Sequence, residues 1–180
     1  MQISQTMDES ALVRAAQTDA QAFTAIYDRY VQRLYRYCYY RTSSAHEAED
    51  LTAQIFLAAL EALPRYRQDG HFAAWLFSIA RKKVADFHRR KSHVPLEEST
   101  LPPIHIDLAV DVEKAQRREH LLQLVQALAE EEQELIHLRY VAELSFAEMA
   151  RALQRNEDAV KKSVYRLMAR LKHELEADHE

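Results

Sequence analysis

The sequence predicts an all-α protein, because it is poor in turn-forming residues and rich in apolar residues at helical spacing. Its 180 residues include one Gly and four Pro, and 48% of them are hydrophobic. A fold with many strands and turns would need more Gly and Pro. Two S-x-x-E segments, which begin at Ser44 and Ser145, predict helix starts closed by capping boxes. These observations favour helices packed through apolar faces.

Residues 1–91 form the first predicted domain. One helix carries apolar residues three and four positions apart, a second helix begins after Ser44 and ends near Pro64, and a third follows Gly70. The third helix runs into a basic segment, 81–91, that has six basic residues against Asp86. The apolar face of the first of these helices consists of Phe23, Ile26, Tyr27, Tyr30, Val31, Leu34, Tyr37 and Cys38.

Residues 92–111 interrupt the helical pattern. Pro95, Pro102 and Pro103 lie in this segment, and apolar periodicity is lost. Prolines and polar residues between two periodic segments are typical of an interdomain linker. The sequence therefore predicts two small helical domains, residues 1–91 and 112–180, joined by a flexible linker that lets them move independently.

The second domain contains a predicted helix-turn-helix. A helix over 145–153 is followed by the turn Gln154-Arg155-Asn156 and by a helix over 159–172, where Asn156 is the expected N-cap. Apolar residues line one face of the last helix and basic residues the other. The pattern alone fits a solvated bundle surface equally well, but 151–172 has seven basic residues against two acidic ones in a chain of net charge −4. This local asymmetry favours binding to a polyanion.

Composition excludes several other classes of protein. The single Gly leaves no glycine-rich loop for a nucleotide phosphate, and Cys38, the only cysteine, allows no internal disulfide and no CxxC pair. Residues 1–10 lack the apolar core of a signal peptide, and no apolar stretch approaches the roughly 20 residues that span a bilayer. We therefore expect a cytoplasmic protein that does not insert into membranes.

Nine histidines raise the question of a metal site, but none lies four residues from another. The nearest candidate is His46 with Glu49 and Asp50, for which a solvated helix start is the simpler interpretation. A helical enzyme or metal protein built on these three residues stays an alternative. The sequence otherwise indicates no catalytic residue, no metal ligand and no cofactor, so we expect no enzyme.

Aromatic residues precede the basic segment of the first domain. Phe72, Trp75 and Phe77 lie just before residues 81–91. Rings beside positive charge can bind single-stranded or opened nucleic acid, since bases stack on the rings while the backbone follows the charge. Burial of the same rings in the core is the competing interpretation.

Segments in both domains, taken in order, resemble bacterial RNA polymerase sigma factors of the extracytoplasmic-function (ECF) type in the sigma-70 family. Residues 47–51 (EAEDL) with 55–57 (IFL) are similar to the core-binding helix of the family's first domain, sigma region 2. Residues 72–81 (FAAWLFSIAR) are similar to the segment that opens and reads the −10 promoter element.

The second domain resembles sigma region 4 of the same family. The similar segments are 138–140 (LRY), 144–150 (LSFAEMA) and 160–166 (VKKSVYR), which in the family belong to the helix-turn-helix that binds the −35 element. The resemblance covers nearly the whole chain. It implies a promoter-specificity subunit whose partners are core RNA polymerase, promoter DNA and an anti-sigma factor.

The resemblance also implies three sets of contact residues. Core polymerase would contact Glu49, Asp50, Gln54, Phe56 and Leu57. The −10 element would contact Phe72, Trp75, Arg81, Lys82, Arg89 and Arg90. The −35 element would contact Arg139, Asn156, Lys161, Lys162, Tyr165, Arg166 and Arg170. Among these, Lys161 and Lys162 are expected to choose the promoter, because lysine can donate hydrogen bonds to guanine in the major groove.

The chain departs from the family pattern at several positions. Ala53-Gln54 replaces a frequent Gln-acid pair, which removes a negative charge toward polymerase, and Lys82 stands where Asn is frequent. Gln154 and Glu143 replace turn glycines, so these turns lack the residue that best tolerates positive φ. The alternative function is a helix-turn-helix regulator with an N-terminal sensing or dimerisation domain. The second basic segment favours the sigma factor, because a sensing domain needs no second nucleic-acid surface.

Overall fold

The computed structural model describes residues 8–67, 69–91 and 112–177, with side chains from residue 119 onward in the last range. The predicted linker, 92–111, lies outside the described residues. Within the described ranges every regular element is helical, which confirms the predicted fold class. The α-helices are α1 (Glu9–Ala16), α2 (Phe23–Thr42), α3 (Ala45–Ala62), α4 (Phe72–Lys91), α5 (Val112–Ala127), α6 (Glu130–Ile136), α7 (Phe146–Leu153) and α8 (Glu157–Ala177). Short 3₁₀ turns occupy Ala20–Ala22 and Leu63–Arg65, and a π-helical turn, His137–Val141, extends α6.

The first domain packs α2, α3 and α4 around one aromatic core. Leu34, Tyr37 and Phe77 are fully buried, and the Tyr37 and Phe77 rings meet edge to face at 5.6 Å. Burying a large apolar side chain contributes about 1.5–3 kcal/mol each, so this core dominates the stability of the domain. Phe77 is therefore a core residue. Tyr27, predicted on the apolar face of α2, is instead 43% exposed.

The two predicted capping boxes form differently. At α7, Ser145 Oγ accepts a hydrogen bond from the Glu148 amide at 3.2 Å, and the Ser145 amide donates to the Glu148 carboxylate at 2.7 Å. At α3, Ser44 accepts from the Glu47 amide, but the Glu47 carboxylate lies 3.4 Å from Lys91. The predicted hydrogen bond from the Ser44 amide back to the Glu47 carboxylate is therefore wrong, because Lys91 at the end of α4 attracts that carboxylate.

The second domain builds the predicted helix-turn-helix from α7 and α8. Val160, Val164, Leu167 and Leu171 of α8 are buried. The helix-turn-helix uses left-handed backbone at Gln154, with φ of 55°, and Glu143 adopts φ of 58° before α7. Both residues lie in the turns where the family resemblance led us to expect Gly. A non-glycine residue in this region is strained by about 1 kcal/mol or more.

The two domains contact each other, which differs from the expectation of two independent bodies. α4 packs against α7, and α2 packs against the π-helical turn. Arg33 donates from Nε and Nη2 to the Ala142 carbonyl at 2.8 and 2.6 Å. The prolines of residues 92–111 indicate where helices end, but they carry no information about whether the flanking domains share a surface.

Candidate nucleic-acid interface

The outer face of α8 presents the basic residues that the sequence predicted there. Asn156 Oδ1 accepts from the amides of Asp158 and Ala159 at 2.9 and 3.3 Å, so it caps the helix as expected. The buried side of α8 packs on α7, which leaves the opposite side open to solvent. We call this open side the α8 face, and its exposed residues are Lys161, Lys162, Tyr165 and Arg166.

Rings and cations join the α8 face to the helix before it. The Arg139 guanidinium lies 4.8 Å from the centre of the Phe146 ring, and Phe146 meets Tyr165 edge to face at 5.6 Å. Lys161 Nζ lies 6.0 Å from the Tyr165 ring. Arg139 is also held by a 2.7 Å hydrogen bond from Nη1 to the Leu144 carbonyl. These contacts order Tyr165 and Lys161 before any ligand arrives.

Arg170 points away from the α8 face and toward α6. Its Nη2 lies 2.7 Å from the Glu132 carboxylate, and Nε lies 3.9 Å from Glu174. The hydrogen bond with Arg170 lowers the pKa of Glu132, and it raises the pKa of Arg170. The Glu132 and Glu174 carboxylates therefore compete with a DNA phosphate for this guanidinium.

The candidate polymerase surface lies on α3. Glu49, Asp50 and Gln54 are exposed, and Leu57 is 62% exposed. Phe56 is buried instead, against Phe23 and Tyr27. The prediction that Phe56 contacts polymerase is therefore corrected to a packing role, because its ring faces the core.

The aromatic residues at the start of α4 form a layered cluster. Phe72 is 2% exposed and lies under Tyr66 and Trp75, with ring centres 5.5 and 5.3 Å away. Tyr66 and Trp75 are 4.8 Å apart and partly exposed. Direct contact between Phe72 and a base, which the sequence predicted, is not compatible with this burial. Phe72 instead supports the two rings above it.

The basic residues of α4 differ from one another in their surroundings. Arg81 donates from Nε to Glu134 at 2.9 Å and from Nη1 to the Ala152 carbonyl at 2.6 Å, both in the second domain. Arg89 forms an ion pair with Asp86 on its own helix. Lys82 and Arg90 are exposed to solvent. Arg81 is thus the predicted −10 contact that the structure places inside the domain interface.

Glu134 is the acidic centre of that interface and was not singled out by the sequence. Glu134 is 8% exposed, and three groups of the first domain surround its carboxylate. Tyr37 donates its hydroxyl at 2.9 Å, and Arg41 Nε lies 3.5 Å away, beside Arg81. Burial first, and then the charge of Glu134, raise the pKa of Tyr37, so the phenol stays a donor. The sequence feature that could have indicated this role is the position of Glu134, a carboxylate beside Leu135 on the apolar side of α6.

The metal alternative rests on His46, which lies on the exposed surface of α3. His46 Nε2 lies 3.8 Å from the exposed Asp50 carboxylate, which is an i,i+4 pair on the surface of α3. No group of three or more His, Cys, Asp or Glu side chains suited to a metal occurs in the described part of the chain. None of the described helices is long and apolar enough to cross a membrane.

Both domains match parts of one protein family. Residues 26–94 match Sigma-70 region 2, and residues 118–171 match Sigma-70, region 4. The two matches cover most of the chain and fall on the two structural domains in the order that the sequence predicted. The chain therefore belongs to the sigma-70 family of transcription initiation factors, which are DNA-binding regulatory subunits of RNA polymerase.

Similar proteins define the branch of the family. BldN, an ECF RNA polymerase sigma factor of Streptomyces coelicolor, is 38% identical over 164 residues, which are 88% of this chain and 62% of BldN. The ECF sigma factor SigD of Mycobacterium tuberculosis is 31% identical over 183 residues, 94% of this chain and 84% of SigD. The chain is a member of the ECF sigma factors.

A solved structure shares the fold. CnrH, in a complex with the cytosolic domain of CnrY, aligns with a TM-score of 0.70 over 94% of this chain and 98% of CnrH. The sequences are 23% identical, so the likeness concerns the fold. The alignment includes both helical domains, since it extends over nearly all of each chain.

Proposed function

We propose that this chain is the promoter-specificity subunit that binds core RNA polymerase and directs initiation by recognising −10 and −35 promoter DNA. The observation that carries the proposal is the pairing of the sigma region 2 match with the region 4 match, each on a domain with a basic helix. A helix-turn-helix regulator with a sensing domain is not favoured, because residues 26–94 match the polymerase-binding region of sigma factors instead.

The α8 face is the proposed reader of the −35 element. Lys161, Lys162 and Arg166 are exposed and sit near the N-terminal half of α8, the part of a recognition helix that enters the major groove. Tyr165 can contact a base edge or a thymine methyl, and its ring is fixed by Phe146. Phe146 is therefore proposed as a positioning residue that acts through Tyr165 and Arg139.

The first domain is the proposed site for opened −10 DNA and for core polymerase. Tyr66 and Trp75 provide partly exposed rings, and Lys82 is an exposed cation two turns after Trp75 on α4, which suits stacking with unpaired bases near a charged backbone. On α3, the exposed carboxylates of Glu49 and Asp50 would face a basic surface of polymerase, with Leu57 as an apolar contact. The two surfaces lie on different helices, so both can be used at once.

The proposal extends to partners and place of action. RNA synthesis would be catalysed by core polymerase, so we assign no catalytic residue and no cofactor to this chain. Polymerase and chromosome share the bacterial cytoplasm, where this subunit would act. An anti-sigma factor is a proposed regulator, supported by the family and by the complex in which the similar CnrH was solved.

The test is transcription in vitro with purified core polymerase and a library of genomic promoter fragments. We expect transcripts from a defined subset of fragments that share two sequence elements separated by a fixed spacer. Core polymerase alone is the control. Transcripts that are the same with and without this chain would overturn the proposal.

Charge reversal at Glu49 and Asp50 adds a control for the polymerase surface. Both residues are exposed in the first half of α3, so their replacement by Lys should leave the core intact. The variant should lose binding to core polymerase while keeping its affinity for −35 duplex DNA. Unchanged co-purification with core enzyme would contradict the assignment of this surface.

A further inference from the structure

His137 lies where the second domain meets the first. It belongs to the π-helical turn, which packs against α2, and its ring centre lies 5.8 Å from that of Tyr40, with the two planes 31° apart. The residue is 4% exposed. Because Tyr40 belongs to the first domain and His137 to the second, separation of the domains would remove the Tyr40 ring and open that side of the imidazole to water.

The surroundings of His137 suit a neutral imidazole better than an imidazolium. Its Nδ1 is buried without a hydrogen-bond partner among the described residues. An imidazolium carries an N–H on both ring nitrogens, so protonation would leave a buried donor unpaired, which is costly. Burial first, and then the charge of Arg41 on α2, hold the pKa of His137 below its usual value.

The charged groups on the elements packed against this turn already have partners. On α6, Glu134 precedes His137 by three residues, but three groups of the first domain hold its carboxylate. On α7, Glu148 accepts hydrogen bonds from Ser145. Arg33 of α2 donates to the carbonyl that follows the turn. Further ion pairs on these elements join Arg41 with Glu130, Arg36 with Glu143 and Arg170 with Glu132. A proton on His137 therefore adds a positive charge beside Arg41 without a free carboxylate among these groups to receive it.

We propose that His137 makes the contact between the two domains sensitive to acid, so that protonation of its imidazole favours their separation. With the domains in contact, the imidazole is neutral and lies against Tyr40. With the domains apart, it faces water and no longer has Arg41 as a neighbour, so it binds a proton more readily. Since protons bind more tightly to the separated form, a fall in pH below about 6.5 shifts the equilibrium toward separation, and a rise in pH reverses the shift.

Thiol labelling of the full chain measures the separated fraction even when that fraction is small. Ala152 is 3% exposed and lines, with Trp75 and Gln154, a cleft of about 440 Å³ between α4 and the end of α7. A cysteine introduced by Ala152→Cys should therefore be protected while the domains are in contact. Two further sites report unfolding: the native Cys38 in the core of the first domain, and Val164→Cys in the core of the second. Each labelling rate is divided by that of a short unstructured thiol peptide at the same pH.

The expected result is a rise of about tenfold in the corrected labelling rate at position 152 between pH 7.5 and pH 5.5, because a histidine exposed in the separated form takes up its proton over this range. His137→Leu, combined with Ala152→Cys, should remove this rise. His137→Gln keeps a polar side chain and should give the same result should the Leu variant fold poorly. His173→Leu changes an exposed histidine on α8 and should retain the rise.

Three results would overturn the proposal. The first is no rise in the parent chain, and the second is an equal rise in the chains with and without His137. The third is labelling at position 152 that rises in step with Cys38 or with position 164, because acid would then unfold a domain and not separate two folded ones. None of these results depends on the DNA surfaces of α4 and α8, so transcription in vitro still tests the proposed function separately.

Discussion

The two basic helices of this sigma factor are exposed to very different degrees. On α8, Lys161, Lys162 and Arg166 face solvent, and Tyr165 is 57% exposed. On α4, Arg81 is bonded to the second domain at both ends of its guanidinium. Helices of similar composition can thus differ in what they offer to a ligand, because exposure is set by the packing of the domains around them.

The difference suggests an order of events at a promoter. The α8 face needs no rearrangement, so it suits the first contact with duplex DNA. On α4, the Glu134 carboxylate and the Ala152 carbonyl compete with DNA for Arg81. Four changes would break or sharpen this contrast, and the expected effects fall from the first to the last.

Acid should lower the stability of the chain through His137, which is 4% exposed and lies beside Tyr40 and Arg41. Burial, and then the charge of Arg41, lower the pKa of His137 from 6.5 to about 4. Between these two values the unfolded chain binds more protons than the folded chain, so stability falls as pH falls. The loss from this residue should approach about 3 kcal/mol over that range.

Denaturant unfolding at a series of pH values measures this effect. His137→Leu should flatten the dependence between pH 6.5 and 4, whereas His173→Leu, at an exposed site on α8, should leave it unchanged. If the free energy of unfolding depended on pH equally steeply in His137→Leu and in the parent chain, carboxylates elsewhere would be the cause of the pH dependence, and the role of His137 would be contradicted.

Lys162→Ala tests base reading by the α8 face. Loss of a base contact should reduce discrimination between the −35 element and a scrambled duplex by about 2 kcal/mol, since a bidentate base contact is worth about 1–3 kcal/mol. Lys172→Ala is the control, because Lys172 lies further along α8 and pairs with Glu176. Equal losses on both duplexes would indicate phosphate contact in place of base reading.

Phe146→Leu tests whether the α8 face is organised before DNA arrives. The substitution removes the ring between Arg139 and Tyr165, and we expect −35 affinity to fall by about 1 kcal/mol. Phe146→Tyr keeps the ring and should retain affinity. Anisotropy compares binding to the −35 duplex with binding to a scrambled duplex. If the melting temperature of Phe146→Leu shifts but its preference for the −35 duplex does not change, Phe146 only fills the core.

Gln154→Gly should have the smallest effect. Gln154 ends α7 with φ of 55°, and Gly adopts this conformation without strain. We expect a gain in stability of about 0.5 kcal/mol, because the relief of strain exceeds the added entropy of the unfolded chain. Gln123→Gly, inside α5, should instead lower the stability. A destabilised Gln154→Gly chain would mean that the Gln side chain makes a stabilising contact in the cleft.

Local features of the fold could be read from the sequence. The Ser145 capping box, the Asn156 cap and the exposed side of α8 depend on residues within one or two turns of each other, where helical spacing decides which side chains meet. The positive φ at Gln154 lies in a turn where the family resemblance implied a glycine.

Features that depend on distant partners could not be read in this way. Ser44 and Glu47 have the same pattern as Ser145 and Glu148, yet Lys91 draws Glu47 away. Arg81 and Glu134 are 53 residues apart, and no local periodicity indicates that they meet. Phe72 and Phe56 were predicted to contact DNA and polymerase because they are aromatic, but both rings are buried against neighbouring aromatic residues.

The fluorescence of Trp75 provides the most direct test of the contrast between the two helices. Trp75 is the only tryptophan of the chain, and it lines the cleft that α7 closes. Quenching by acrylamide should be stronger in Glu134→Gln than in the parent chain, where Trp75 is only partly exposed, while Glu131→Lys stays at the parent value. Equal quenching in all three proteins, with the Glu134→Gln chain folded, would contradict the claim that the second domain covers the α4 surface.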